Sequence, residues 1–164
     1  MFCYETQSAM NSPTYSTSGS TNTEIDVFSI KAGARNASVY ALRGQGRGAG
    51  LTQLSGISLN VKLWTTGSTA GTTLTPSPSD KASQAATAVP RIGTGGGVNA
   101  VTPGSGGPTY RGGFGFSGSG PGGWTAANPD AAILLPGSDG GSYDLYSISG
   151  TASMLYEFWL EHSE

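Results

Sequence analysis

Apolar and polar residues alternate most strictly from Gly56 to Thr66. Ile57, Leu59, Val61 and Leu63 fall on one face, and Ser58, Asn60 and Lys62 on the other. A period of two with one polar face predicts a strand with one side buried and one side wet. The period recurs from Ala152 to Leu160, where Met154, Tyr156, Phe158 and Leu160 oppose Leu155, Glu157 and Trp159. Glu24 to Lys31 sets Ile25 and Val27 against Phe28 and Ile30, and Ser38 to Arg43 sets Tyr40 and Leu42 against Val39 and Ala41. Ser142 to Ser149 sets Tyr143, Leu145 and Ser147 against Asp144, Tyr146 and Ile148. Two weaker strands are Ala131 to Leu135, ended by Pro136-Gly137, and the glycine-interrupted Tyr110 to Phe116, with Phe114 and Phe116 on one face.

Turn chemistry separates these runs. Gly33 and Asn36 mark one turn, Gly44 to Gly50 reads as a glycine loop, and Gly150-Thr151 suits a hairpin. Residues 67–108 hold most of the loop material. Within them Thr75-Pro76-Ser77-Pro78-Ser79-Asp80 is excluded from a central strand, because proline has no ladder donor. Lys81 to Val89 is the one stretch with helix-compatible content: Asp80 as cap and Ala82, Ala85 and Ala86 inside, but without apolar anchors. Seven or eight strands at this spacing predict an all-β, two-sheet β-sandwich of jelly-roll type, with long Gly/Ser/Thr/Pro loops, over residues 24–164.

Residues 1–23 stand apart as an extended N-terminal arm. Their Ser and Thr content buries too little apolar surface to offset ordering, about 1–2 kcal/mol per residue. The arm is therefore expected to order on a neighbouring subunit, with Phe2, Tyr4, Met10 and Tyr15 as anchors.

Composition narrows the class. Glycine and proline supply 27 and 9 of 164 residues, and charged residues only 11%, against roughly 25% in ordinary domains. Helical, collagen-like and highly charged disordered chains are excluded. The net charge is −2 and the basic side chains are scattered, so no nucleic-acid footprint is present. No apolar run approaches the ~18 residues of a membrane span. Met1 to Glu5 lacks the basic and apolar regions of a Sec signal, which predicts synthesis in the cytoplasm. Cys3 is the single cysteine, so no intrachain disulfide is available.

Candidate chemistry is sparse. Gly44-Gln45-Gly46-Arg47-Gly48-Ala49 loosely fits a dinucleotide loop, but the next strand follows too soon for the helix that motif needs. Gly93-Thr94-Gly95-Gly96-Gly97 lacks the Lys-Ser/Thr of a phosphate loop. The single histidine, His162, and Cys3 lie at opposite ends, a poor basis for a preorganised dyad, and no catalytic residue or cofactor is assigned. Asp130, Asp139 and Asp144, with Asn128, read chiefly as turn residues and secondarily as calcium ligands. Trp64 and Trp159 lie in strands. Trp124 follows Pro121-Gly122-Gly123 and is expected to present its ring from a loop as a contact or sugar platform. Asn36-Ala37-Ser38 has the pattern of a glycosylation acceptor, without a secretory context.

The strand pair Ile25–Ile30 and Val39–Leu42, the strand Leu59-Asn60-Val61-Lys62-Leu63-Trp64, the small-residue turn 65–73 leading into Thr75-Pro76-Ser77-Pro78, and the closing Ser153-Met154-Leu155-Tyr156-Glu157-Phe158-Trp159 with its acidic tail, Glu161 and Glu164, carry a likeness. Over residues 24–164 the chain resembles the β-sandwich head or decoration proteins of tailed-phage and prophage virions. The resemblance implies a structural, non-enzymatic role on the outer capsid surface, with the major capsid protein and further copies of itself, as a trimer, for partners. It transfers no site residue. A receptor- or carbohydrate-binding module of a tail or fibre is the alternative, and a β-sandwich hydrolase a third reading.

Overall fold

The computed structural model describes residues 1–8, 14–15, 25–47, 56–67, 69, 71–80, 84–93, 106, 109–117, 120–138, 142–149, 152–153 and 155–164. Its strands are β1 (Cys3–Gln7), β2 (Thr14–Tyr15), β3 (Ile25–Lys31), β4 (Ala37–Arg47), β5 (Gly56–Trp64), β6 (Thr72–Thr73) and β7 (Ser77–Pro78). They continue with β8 (Val89–Ile92), β9 (Thr109–Ser117), β10 (Gly122–Thr125), β11 (Ile133–Leu135), β12 (Ser142–Ser149), β13 (Ala152–Ser153) and β14 (Leu155–Ser163). The protein is all-β. One antiparallel sheet runs β10-β4-β14-β1-β7, with β11 also pairing β4, and the other runs β6-β8-β3-β12-β5-β9. A two-stranded ribbon joins β2 to β13.

The period-two patterning lands on the expected strands, and both sheets feed one apolar cluster. Phe28, Ile30, Val61 and Ile92 come from one sheet, and Val39, Leu42, Ile133, Leu135, Phe158 and Leu160 from the other. The rings of Phe28 and Phe158 meet across it with centroids 5.7 Å apart. Burying each such side chain is worth about 1.5–3 kcal/mol, which makes this cluster the main stabilising element.

Prolines occupy the places their chemistry permits. Pro78 sits on the edge strand β7, as the missing donor requires. Pro90 lies in β8, opposite Ile30, and its carbonyl accepts from the Leu74 amide at 2.9 Å. Nitrogen and carbonyl of one strand residue face the same way, so the absent N–H points toward β6 and the β3–β8 ladder loses nothing.

Three expectations are corrected. Residues 1–8 are not part of an arm: β1 pairs with β14 from Cys3↔Ser163 to Gln7↔Trp159, and Tyr4, Thr6 and Ser8 are buried. A strand inserted between two others gains ladder bonds that a Ser/Thr-rich segment cannot gain alone. Of the remaining arm, Thr14 and Tyr15 pair with Ser153 and Ala152, and Met10 lies outside the described residues. Gly44 to Arg47 is not loop but the second half of β4. There Gly44 pairs with Phe158, which is buried in the core, and Gly46 pairs with Tyr156 in the ladder. Residues 84–88 are not helical, consistent with the lack of apolar anchors, and the one helical turn among the described residues is a 3-10 turn at Pro129–Ala131, capped by the Asn128 side chain. Finally, β12 and β14 belong to different sheets, so the link between them is no hairpin; Gly150 and Thr151 themselves lie outside the described residues.

Deletion of residues 1–8 is expected to abolish cooperative folding, since it strips Tyr4 from the interior and leaves an edge of β14 unpaired. Loss of a sigmoidal thermal transition by circular dichroism checks this; a truncated chain that melts like the intact one would refute it.

Candidate functional site

Two places gather the chemistry of the described residues. The first is a polar cluster where β1 and β14 end. The side chains of β1 alternate outward and inward, so Cys3 is exposed while Tyr4 is buried. The chain ends are tied by paired bonds of 2.9 Å between the backbones of Phe2 and Glu164. A bulge between Glu161 and His162, relative to β4, lets consecutive residues His162 and Ser163 both be buried. The His162 ring stacks on Tyr4 with centroids 5.2 Å apart.

Glu164 is the centre of this cluster. Its carboxylate is fully buried and pairs with the Arg35 guanidinium at 2.7 Å. Arg35 Nε also donates at 2.8 Å, and the Thr87 hydroxyl at 2.9 Å. The amides of Thr87 and Ala88 donate to it at 2.9 and 2.7 Å. Segment 84–88 can come this close because position 33 is glycine: a Cβ there would lie 1.9 Å from the Thr87 carbonyl oxygen. Burial opposes ionisation of Glu164 more than any other influence. The amides of Ala88 and Thr87, the Thr87 hydroxyl and Arg35 together outweigh it, so the carboxyl sits below its usual 4.5.

This cluster carries no sign in the sequence, because Arg35, Thr87 and Glu164 are 52 to 129 residues apart. It also changes the reading of the C-terminal residues. The acidic tail is half interior: Glu161 is exposed beside Arg43 at 3.4 Å, whereas the Glu164 side chain is buried. The Cys3–His162 dyad does not form, since Cys3 faces outward and His162 lies stacked on Tyr4 inside.

The second place is a groove of about 600 Å³, lined by Leu63 at the end of β5, Trp124 and Thr125 of β10, residues 126–127 and 130–132, and Ile133 and Leu134 of β11. Asp130 is the one charged side chain among its lining residues. Trp124 is not in a loop. It sits on β10 opposite Leu42, half-buried and packed against the core, because Gly122 and Gly123 extend the strand alongside Gly44 and Arg43. A Cβ at Gly123 would meet the Leu42 carbonyl at 2.8 Å, so glycine is what permits this approach. Leu134 is 55% exposed on the groove rim, while its neighbours Ile133 and Leu135 point into the core. The alternation in Ile133-Leu134-Leu135 is the sequence signal that marks Leu134 as outward.

The other candidates disperse. Phe2 is half-buried with the Arg35 guanidinium 5.8 Å above its ring. Tyr4 turns its hydroxyl to the Gln84 carbonyl at 2.9 Å, inside its own chain, and is not a surface anchor. Asp130 is exposed on the 3-10 turn, Asp144 lies in β12, and Asp139 is outside the described residues. Among the described residues no three His, Cys, Asp or Glu side chains converge on a metal position. Trp64 and Trp159 are half-buried at the end of β5 and in β14. The Asn36 side chain accepts from the Gly137 amide at 2.8 Å, which ties the β3–β4 turn to the segment that follows β11. No helix among the described residues is long and apolar enough to cross a membrane.

Because the folded state holds the Glu164 carboxyl below 4.5, its contribution to stability is complete above that pH and is lost as pH falls through the lowered value. Melting temperature is expected to fall on acidification below 4.5, and Glu164→Gln to melt lower at pH 7 with less of that acid loss. Arg35→Met should cost about 2 kcal/mol, less than for a fully buried pair since the guanidinium is partly exposed, or about 6 °C in melting temperature. Calorimetry across pH 3–7 checks both.

No family model matches the chain, and no curated protein matches it. Among solved structures, a chain from "Structure of infectious bursal disease virus Gt strain" is similar at 16% identity and a TM-score of 0.20, covering 98% of this chain and 40% of that one. The chain thus spans less than half the length of that structure, and a likeness at this TM-score carries no argument about fold or function.

Proposed function

We propose that the protein is a structural virion component, a jelly-roll β-sandwich that attaches to the outer surface of a capsid and bridges shell subunits as a homo-oligomer. The observation that carries this reading is the groove: an aromatic floor at Trp124, small and apolar walls, an exposed Leu134 and one charge. Rimmed apolar surface of this kind marks contact with another macromolecule. An uncharged contact also avoids the cost of burying unpaired ions, several kcal/mol each. The resemblance over residues 24–164 to phage head and decoration proteins supplies the class of partner, the major capsid protein. The trimer follows from matching the three-fold positions of a shell, where identical surfaces repeat. Several weak contacts through one rigid oligomer add up to firm attachment.

A second reading has its own observation. Trp124 and Asp130 line the same groove, the pairing of an aromatic platform with a hydrogen-bonding acid that sugar rings require. On that reading the protein is a receptor- or carbohydrate-binding module of a tail or fibre.

Purified protein is expected to sediment as an oligomer and to rebind stripped capsids over a wide range of salt, because few charges take part. Leu134→Asp, on the exposed rim, should weaken rebinding about 30-fold, the ~2 kcal/mol of a contact hot spot, without loss of melting temperature. Localisation to the tail tip alone by particle reconstruction, with binding on a glycan panel, would replace this reading with the second.

A further inference from the structure

We propose that the imidazole of His162 and the amides of Thr87 and Ala88 compete for the Glu164 carboxylate, so that a proton taken up by the ring releases segment 84–88 from the end of β14.

The geometry sets up the competition. His162 is 1% exposed, and neither Nδ1 nor Nε2 has a hydrogen-bond partner. A neutral ring tolerates this position against Tyr4, but an imidazolium carries two N–H donors, and burying a charge without acceptors costs several kcal/mol. The acceptor within reach is Glu164 Oε1, 3.5 Å from Nε2 and too poorly aligned for a bond. That carboxylate is already occupied. Oε1 takes the Ala88 amide, Oε2 takes Arg35 and the Thr87 hydroxyl, and the Thr87 amide is shared between the two oxygens at 2.9 Å. With about four lone-pair sites to share, it can turn toward the ring only by giving up donors. The Arg35 contact carries a charge, so the amides of 87 and 88 are the ones released.

Segment 84–88 is suited to respond. It has no ladder of its own and leads directly into β8. Besides Glu164 it is held by Tyr4 through the Gln84 carbonyl at 2.9 Å and by Arg35 through the Gln84 side chain at 3.1 Å and the Ala85 carbonyl at 2.6 Å. The groups that surround the ring are therefore few. Tyr4 faces it from β1, Arg35 reaches the same carboxylate from the β3–β4 turn, and segment 84–88 presents the uncharged Gln84 and Thr87. On its own strand stands Glu161, toward solvent and paired with Arg43 of β4, and Glu164 follows directly after the strand.

Burial holds the His162 ring below its ordinary 6.5, against the pull of Glu164. An unfolded chain takes up this proton first. The neutral ring's contribution to stability is therefore complete above 6.5 and declines as pH falls toward the folded value.

His162 is the single histidine, so its ring signals in an NMR titration of the full chain from pH 8 to 5 need no assignment by mutation. The Thr87 and Ala88 amides are expected to shift with the midpoint of the ring and to exchange with solvent at least 10-fold faster after correction for intrinsic rate. Leu42 in β4 and Val61 in β5 should stay unchanged. In His162→Phe the two amides should be flat across the same range. Amides of 87 and 88 that ignore the ring in the wild type, that still titrate in His162→Phe, or that move only together with β4 would each overturn the proposal. The wild-type titration decides alone where the Phe variant does not fold.

Discussion

The ladder that β14 makes with β4 on one side and β1 on the other is the constraint on which the rest depends. Without it the first sheet divides into a β10/β11–β4 piece and a β1–β7 piece, neither with a closed face. The same strand delivers Phe158 and Leu160 to the shared apolar cluster and His162 to the polar one. Gly44 and Gly46 in β4 are held as strand by their ladder pairing with Phe158 and Tyr156 of β14. The ladder also joins Cys3 to Ser163, so the sheet closes only once all the residues between them have been made. Loop-closure entropy grows slowly with length, so this long closure costs little in stability, but non-local pairing of this kind slows folding.

The ends of that ladder show how a buried charge is kept. A carboxylate in the interior is costly unless its lone pairs are filled, and Glu164 fills its own from Arg35, Thr87 and Ala88. Such a pair is weak support for stability by itself. It fixes a path, because segment 84–88, the β3–β4 turn and the end of β14 must all be in place at once. His162 is the member left without a hydrogen bond, and that imbalance makes the cluster responsive rather than inert.

The groove is built differently. Its walls come from both sheets, Leu63 from one and Trp124, Ile133 and Leu134 from the other. Trp124 is held by its own strand pairing and by the core, so its ring is fixed before any partner arrives. A preset apolar floor loses little entropy on contact, which suits attachment through surface shape rather than through charge.

How much of this was legible follows from the range of each force. Strand identity was local. Period-two alternation placed β3, β4, β5, β12 and β14, and the prolines at 76 and 78 excluded a central strand where an edge strand lies. All-β character followed as well, from composition and patterning together. What local pattern misjudged was set by partners distant in the chain. A polar N-terminal segment became an inner strand because β14 and β7 offered it ladder bonds. Glycines at 44 and 46 became strand because β14 paired with that stretch of β4. Trp124 moved from loop to strand because Gly123 allowed close approach to β4. The Arg35–Glu164–Thr87 cluster had no local trace at all, since its members share no periodicity and meet only through the crossing of three segments. Where the faces are described, as at Phe28 and Ile30 and at Phe158 and Leu160, alternation along the chain therefore determined which residues face inward. Which strands lie side by side, and which charges are buried together, was decided in three dimensions, because backbone hydrogen bonds and buried carboxylates are satisfied by whatever donor the fold brings near, not by a neighbour in sequence.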